Sequence, residues 1–345
     1  MVRRVPHEQI HAWARACLQA VGVNSRDAER VAGALVQTSL WGIDSHGVAR
    51  LTHYLARIQA GSIKANPVIT VQQTGPCTAQ MHGDHGLGIV VCFAATELAI
   101  EMAQQNGAGI VGISESSHCG AIGLYTRAAA RAGLIGVAFT HADSIVTPHG
   151  GKQKYLGTNP LSIAFPRAND EPVCLDMATS SIPWNRVMNA RRDNQILPPD
   201  VAVDGDGRYT RDPHAAAALL PLGGEGYGHK GYALALMIEL LCGPLNGMPY
   251  ANHVPPMFGD LTRQRHLGSL IIAIDPKRFA GGPTLAATVE ALVREAKQQP
   301  GEVKYPGEPE YAHERERRRD GLPMEPGLLA EMGAWAERLG VATLE

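Results

Sequence analysis

Between residues 68 and 176, short apolar, β-branched runs alternate with longer stretches of helical spacing, and no other feature narrows the possible folds as far. Residues 68–71 and 78–81, on either side of Thr74-Gly75-Pro76, predict two paired strands. A helix from Gly88 to Gly107, a buried strand over 110–114, a small-residue helix over 121–132 and a strand over 134–140 follow, then strands over 161–165 and 172–176. Such a chain must lay helices against a sheet, so the expected class is α/β.

The two ends read differently. Ile10, Trp13, Ala14, Cys17, Leu18 and Val21 have the spacing of an amphipathic helix opened by Pro6, and helices are expected after Asn24-Ser25 and over 47–60. Further on, helices are expected over 184–193, 232–242, 285–298 and 326–339, with one more strand over 267–274. The expected division is a helical part over 1–66, a sheet domain over 67–275 and a second helical part over 276–345.

Composition excludes several classes. With 45% apolar residues the 345-residue chain can build a sizeable core, and a net charge of −2 gives no field that would attract nucleic acid. The one dense basic run, Glu314-Arg315-Glu316-Arg317-Arg318-Arg319, is interleaved with acids and reads as a solvated helix face. The six cysteines form no C-x-x-C, and no charged leader precedes an apolar run, so a reducing cytoplasm is expected. The apolar segment 232–245 holds a glutamate and a Gly-Pro break, too short for a membrane span.

Several motifs invite chemistry. His7-Glu8-Gln9-Ile10-His11 fits H-E-x-x-H, with Glu29 as the nearest third ligand for a zinc hydrolase, but it reads as the edge of an amphipathic helix, and no metal site is expected. Gly107-Ala108-Gly109-Ile110-Val111-Gly112 is a literal G-x-G-x-x-G in the wrong order, helix before glycines before strand, and so is no dinucleotide fingerprint. No G-x-S-x-G elbow supports a serine hydrolase from Ser45, His46 and Asp176.

Asp44-Ser45-His46-Gly47-Val48-Ala49-Arg50 places a cap, then His46 and Arg50 on one helical face with Tyr54 a turn further. A proton-transfer group beside a guanidinium suits a hydroxyl or carbonyl next to a carboxylate. His118 stands between a buried strand and a helix start, where ligands bind in open sheets. Lys230 is expected just ahead of an apolar helix, its ammonium beside free backbone amides, a phosphate site.

DSHGVAR, GISESSHCGAIG, PHGGKQKYLGTNPLSIAFP, LDMATS and HKGYALALMIELL, in this order and spacing, resemble the malate/L-lactate dehydrogenase-like family of NAD(P)-dependent oxidoreductases. The likeness runs from the first helix to the YPGE segment, and GPCTA, QQNG and ARRDN are most similar to the ureidoglycolate dehydrogenases within it. The resemblance implies a mixed-sheet, non-Rossmann nicotinamide-binding domain, a helical domain formed from both termini, and a homodimer. It implies hydride transfer between NAD or NADP and a small 2-hydroxy or 2-oxo acid of malate, lactate, ureidoglycolate or sulfolactate type. NADPH-dependent reduction of cyclic imino acids is the alternative within the family.

By the same resemblance either His46 or His118 moves the hydroxyl proton, Ser45 orients His46, and Arg50 and Tyr54 hold the substrate carboxylate, with Asp143 and Asn159 in the same cleft. Asp176, Met177 and Ala178, Lys230 and Gly231, and Gly307 and Glu308 are implied to line the cofactor site. Two positions depart from the pattern. The family's Gly-Lys pair after LDMATS is absent, leaving Arg186 in its place and NAD against NADP open, and Ala142 stands where the ureidoglycolate enzymes carry serine.

Overall fold

The computed structural model describes residues 2–344. The N-terminal third runs β1 (Arg3–Val5), α1 (His7–Ala20), α2 (Ser25–Leu40), α3 (Leu51–Gln59), β2 (Thr70–Gly75), β3 (Thr78–His82) and α4 (Gly88–Asn106). The middle holds β4 (Ala108–Ser116), α5 (Gly123–Arg131), β5 (Ile135–Thr140), β6 (Leu161–Phe165), β7 (Val173–Met177), α6 (Trp184–Arg192), β8 (Ala202–Val203) and β9 (Ala218–Leu219). The remainder is α7 (Gly224–Cys242), β10 (Leu267–Ile274), α8 (Gly282–Lys297), α9 (Glu308–Asp320), β11 (Leu322–Met324) and α10 (Pro326–Leu339).

Seven strands form one mixed sheet in the order β2-β3-β4-β10-β5-β6-β7. Only β3 and β4 pair in parallel; every other neighbouring pair is antiparallel. The late strand β10 enters between β4 and β5, so the centre of the sheet closes only when the chain returns to it.

The glycines of the G-x-G-x-x-G segment have packing roles. Gly107 caps α4 in the left-handed region at φ 93°, a conformation that suits a residue without a Cβ. A Cβ at Gly109 would lie 2.1 Å from the Ala99 carbonyl oxygen of α4, and one at Gly112 would lie 2.2 Å from Asn246 Oδ1, just past α7. Residues 109 and 112 face opposite sides of the strand, so α4 and the end of α7 press on opposite faces of the sheet.

The ends of the chain meet. β1 and β11 pair antiparallel, with Arg3 opposite Met324 and Val5 opposite Leu322. One continuous core runs from Ile10, Trp13 and Leu35 through Met332 and Ala336 to Val91, Val111 and Ile113 under the sheet.

Three expectations need correction. The helix over 47–60 is broken: residues Asp44–His46 and Val48–Arg50 form two 3-10 turns before α3 begins. The break lies at Gly47, whose φ of −86° and ψ of −146° are not helical; a Cβ there would lie 2.0 Å from Ser39 Oγ, and Val48 N–H donates to that hydroxyl at 3.0 Å. Second, α7 starts eight residues earlier than expected, at Gly224, so Lys230 and Gly231 sit inside the helix with no free terminal amides. Third, the basic run lies on α9 but is not simply solvated. Arg317 bridges Asp44 at 2.5 and 3.0 Å and donates to the Ser39 carbonyl at 2.6 Å, while Glu314 accepts from Trp41 Nε1 at 2.9 Å.

Candidate active site

The broken turn at 44–50 and the loop after β4 bring two imidazoles together. The rings of His46 and His118 stack with centroids 5.4 Å apart and 26° between planes. Each keeps an edge open to solvent, but the cleft walls strip water from the rest. Burial first, and then the Arg50 charge, lowers His46 from 6.5 to about 4; burial, with His46 and Arg50 adding to it, holds His118 well below its usual range. Both are neutral near pH 7.

The hydrogen bonds separate the two. His118 Nδ1 accepts the Gly120 N–H at 3.3 Å and lies 2.6 Å from Tyr54 Oη. A backbone amide only donates, so Nδ1 is the bare nitrogen and the neutral ring carries its proton on Nε2. Tyr54 is fully buried, which pushes its phenol well above its usual range in spite of Arg50, so it stays protonated and donates to that same nitrogen. His46 Nδ1 faces Ser45 Oγ at 2.9 Å, a partner that can accept its proton and leave Nε2 free.

Arg50 is held from one side. Its Nε donates to the Ser45 carbonyl at 2.6 Å and the guanidinium lies 5.8 Å from the centre of the Phe258 ring, while its terminal nitrogens make no hydrogen bond to described residues. The expected helical face shared by His46, Arg50 and Tyr54 is therefore replaced by a tighter loop that still brings them together. The expected cap is absent too: Asp44 is drawn to Arg317 and Ser45 to His46.

Asp143 and Asn159, expected in the same cleft, are both engaged by other parts of the protein. Asp143 Oδ1 accepts from Arg265 at 2.6 Å and Oδ2 from the Met257 amide at 3.1 Å, tying the 256–265 loop to the cleft. Asn159 is fully buried at φ 33°; it donates to Glu239 Oε2 at 2.6 Å and to the Ala235 carbonyl at 3.0 Å, and accepts from Ala142 N–H at 3.3 Å. Its polar atoms are thus spent inside the protein, and it supports the 142 loop from behind.

Sequence reasoning missed Arg265, Arg57 and Phe258, and the buried His141 and Glu239 that engage Asn159. Arg57 donates to His53, to Ser62 and to the Arg263, Pro256 and Met257 carbonyls, and so fixes the same loop as Asp143. Arg57, Arg265 and Phe258 stand in no motif, and only the meeting of distant segments, 200 positions apart for Arg57 and Met257, reveals them.

The residues expected to hold the cofactor fall into separate places. Asp176 lies at the end of β7 beside the His118 loop, where Oδ2 accepts the Gly123 N–H at 2.8 Å and burial raises the carboxyl to about 6. The fully buried Arg127 is beside it, stacked on Trp41 at 4.1 Å, with both terminal nitrogens lacking a protein partner. Met177 and Ala178 continue from Asp176 with partly exposed side chains. A buried carboxylate with an unsatisfied guanidinium, opening on the Gly120–Gly123 backbone, fits the hydroxyl- and phosphate-rich chemistry of a nicotinamide dinucleotide. Arg186 and Lys230 make no ion pair among the described residues; Lys230 leans over Tyr227 at 5.6 Å.

Gly231 and Gly307 serve packing. A Cβ at Gly231 would meet the Leu222 carbonyl oxygen at 2.4 Å, and Gly307 takes φ 98° against Cys174 at the start of β7. Glu308 pairs with Lys297, accepts the Tyr305 N–H at 3.2 Å, and lines a concavity of about 520 Å³ with Arg167, Glu290 and Tyr305 that includes neither histidine. In the HEQIH segment, His7 pairs with Glu8 at 3.2 Å and His11 with Glu29 at 3.1 Å.

Comparison with known proteins gives a consistent picture. Residues 5–333 match the malate/L-lactate dehydrogenase family. Among curated relatives, the ureidoglycolate dehydrogenase (NAD(+)) of Escherichia coli (strain K12) is 39% identical over 292 residues, 85% of this chain and 82% of that protein. The solved sulfolactate dehydrogenase of Methanocaldococcus jannaschii superposes with a TM-score of 0.91 at 34% identity, covering 99% of this chain and 98% of that one. The delta1-piperideine-2-carboxylate reductase of Pseudomonas syringae superposes with a TM-score of 0.88 at 29% identity, covering 97% and 100%.

Proposed function

The chain belongs to the malate/L-lactate dehydrogenase family, and from that premise we propose that its 44–54 segment and His118 loop form the centre at which a 2-hydroxy acid is oxidised to a 2-oxo acid. The protein is an NAD- or NADP-dependent 2-hydroxy-acid dehydrogenase. The observation that carries the assignment is the pair of stacked neutral imidazoles beside an arginine fork with free terminal N–H groups.

The free fork of Arg50 takes the substrate carboxylate in two parallel hydrogen bonds, which places the neighbouring C2 hydroxyl against the histidines. His46 Nε2 takes the hydroxyl proton, with Ser45 Oγ accepting from Nδ1–H and holding the ring. His118, its Nδ1 occupied by Gly120 and Tyr54, offers Nε2–H to the oxygen as charge develops there. A nicotinamide, when bound, would supply the hydride-accepting chemistry for C2. Asp176, Met177 and Ala178 would hold the cofactor near His118, with the unpaired N–H groups of Arg127 beneath, and Lys230 and Arg186, neither in an ion pair among the described residues, would serve its phosphates. Asp143 acts by fixing Arg265, and Asn159 by fixing the 142 loop.

The finer architecture is part of the same reading. The sheet's single parallel pair and its late central strand support a nicotinamide domain other than the doubly wound Rossmann form, over 67–275. The pairing of β1 with β11 supports one helical domain made from 1–66 and 276–345. α7 exposes Leu234, Met237 and Leu240, and Leu245 follows it at 62% exposure, an apolar face that a homodimer would cover. Six unpaired cysteines fit a cytoplasmic protein, and no helix among the described residues is long and apolar enough to cross a membrane.

The test is oxidation of malate, lactate, ureidoglycolate and sulfolactate with NAD and NADP in parallel, followed by the absorbance of the reduced nicotinamide. Turnover of one acid that is lost in His46→Gln supports the assignment. Silence with all four acids, alongside reduction of a cyclic imine carboxylate, moves the assignment to the reductase chemistry of the Pseudomonas relative.

A further inference from the structure

Three residues without a role in this reading meet at one edge of the central strands. Glu115 lies near the end of β4, His85 in the turn after β3, and His266 immediately before β10. Glu115 Oε2 stands 2.6 Å from His266 Nδ1 and 3.3 Å from His85 Nδ1, and the two rings meet edge to face at 5.2 Å. One donor atom from each of the three lies within 4.8 Å of the others, the one such grouping among the described residues.

The backbone makes the meeting more than a chance of side-chain packing. His85, Glu115 and His266 have φ of 56°, 51° and 48°, in the left-handed region that residues with a Cβ seldom occupy. Strain of this kind gathers where a fold holds functional groups in place. The turn is locked beforehand: Gly83 N–H donates to the Ser114 carbonyl at 2.8 Å, His85 N–H to the Glu115 carbonyl at 2.7 Å, and Lys64 N–H to the His85 carbonyl at 3.0 Å. Even so, His85 Nδ1 is buried without a hydrogen-bond partner. A carboxylate alone satisfies one imidazole and leaves the other unpaired, whereas a cation between them satisfies all three groups.

We propose that His85, Glu115 and His266 bind one divalent cation of the zinc type. Two imidazoles and a carboxylate are borderline ligands suited to that class, and side chains 18%, 21% and 36% exposed leave an entry path and room for water as a fourth ligand. The ion ties the turn after β3 to the starts of two functional segments. Glu115 lies three residues before His118, and His266 follows Arg265, the partner of Asp143. Its consequence for turnover rests on the dehydrogenase reading; its binding does not.

The experiment uses the full chain, stripped with EDTA and titrated calorimetrically with zinc ions. One equivalent should bind, and Glu115→Gln and His266→Ala should each weaken it at least ~10-fold, as loss of a ligand does, while His11→Ala leaves it unchanged. X-ray absorption of the zinc-loaded wild type should show nitrogen and oxygen neighbours and no sulfur. This second measurement decides the matter if a variant fails to fold. Absence of an equivalent, an affinity unaffected by both substitutions, or sulfur around the metal overturns the site. Dehydrogenase activity without zinc binding would remove the metal and leave the reaction standing; zinc binding without activity would do the reverse.

Discussion

The depressed basicity of His46 fixes where the oxidation should fail in acid. Burial, helped by the Arg50 charge, brings this imidazole from 6.5 to about 4. At about 1.4 kcal/mol per pH unit, the cleft disfavours the imidazolium by on the order of 3 kcal/mol. As a general base His46 must be neutral, so kcat/KM for the hydroxy acid should hold level as pH falls through 6 and break near 4. Because the Arg50 charge is the smaller cause, Arg50→Gln should raise that break by about one unit at most, besides weakening substrate binding. The assay is a pH profile of kcat/KM with the cofactor saturating, started by rapid dilution from neutral buffer so that slow acid unfolding does not intrude. An acid limb near 6.5 in the wild type, or a limb that falls in Arg50→Gln, would refute the argument. The same depression has a stability consequence of defined sign: between pH 6.5 and about 4 the unfolded chain takes up this proton and the folded one does not, so stability drops as pH falls through that window.

Other outcomes follow from the same geometry. His46→Gln should lower kcat about 10²–10⁴-fold, whereas His118→Gln, which keeps an N–H donor, should cost only about 10-fold; steady-state kinetics of the two variants would reverse this order if His118 is the base. Gly109→Ala drives a methyl into the Ala99 carbonyl 2.1 Å away and should cost about 1–3 kcal/mol, read as a lowered urea midpoint. Glu239→Gln leaves one acceptor oxygen for two donors, because the Ala251 amide donates to Oε1 at 2.7 Å and the Asn159 amide to Oε2 at 2.6 Å, so an NH₂ must face one of them; this should cost about 2 kcal/mol by thermal unfolding while slowing turnover through the 142 loop.

The parts of the fold legible in the sequence are those set by local periodicity. β6, β10 and α10 lie where the apolar spacing puts them, and α4, β4, α5 and β5 differ only at their ends. What failed locally was decided by distant contacts. α7 begins at Gly224 although its first turns are rich in glycine, because Gly228 and Gly231 let it press on Pro221 and Leu222. The break at Gly47 lies against Ser39 of the preceding helix. Ser45, His46 and Arg50 stand in one short motif with Tyr54 a turn beyond it, His118 stands in a second, and the family resemblance joined the two. Arg265, Arg57 and the His85, Glu115 and His266 cluster were not legible in this way, since each residue there acquires meaning from a neighbour far along the chain.

The strand pair that joins residues 3–5 to residues 322–324 imposes an order on the protein's synthesis. β1 must wait for residues 322–324 to emerge from the ribosome before it can pair. The same delay holds for Asp44, whose salt bridge to Arg317 sits one residue from Ser45 and two from His46. A nascent chain released early would therefore carry both histidines and the arginine fork, but with the segment that presents them untethered from its far anchor. Activity should arrive as a late event of translation, and a chain cut after residue 306 should lose the seat of the reaction before it loses the sheet.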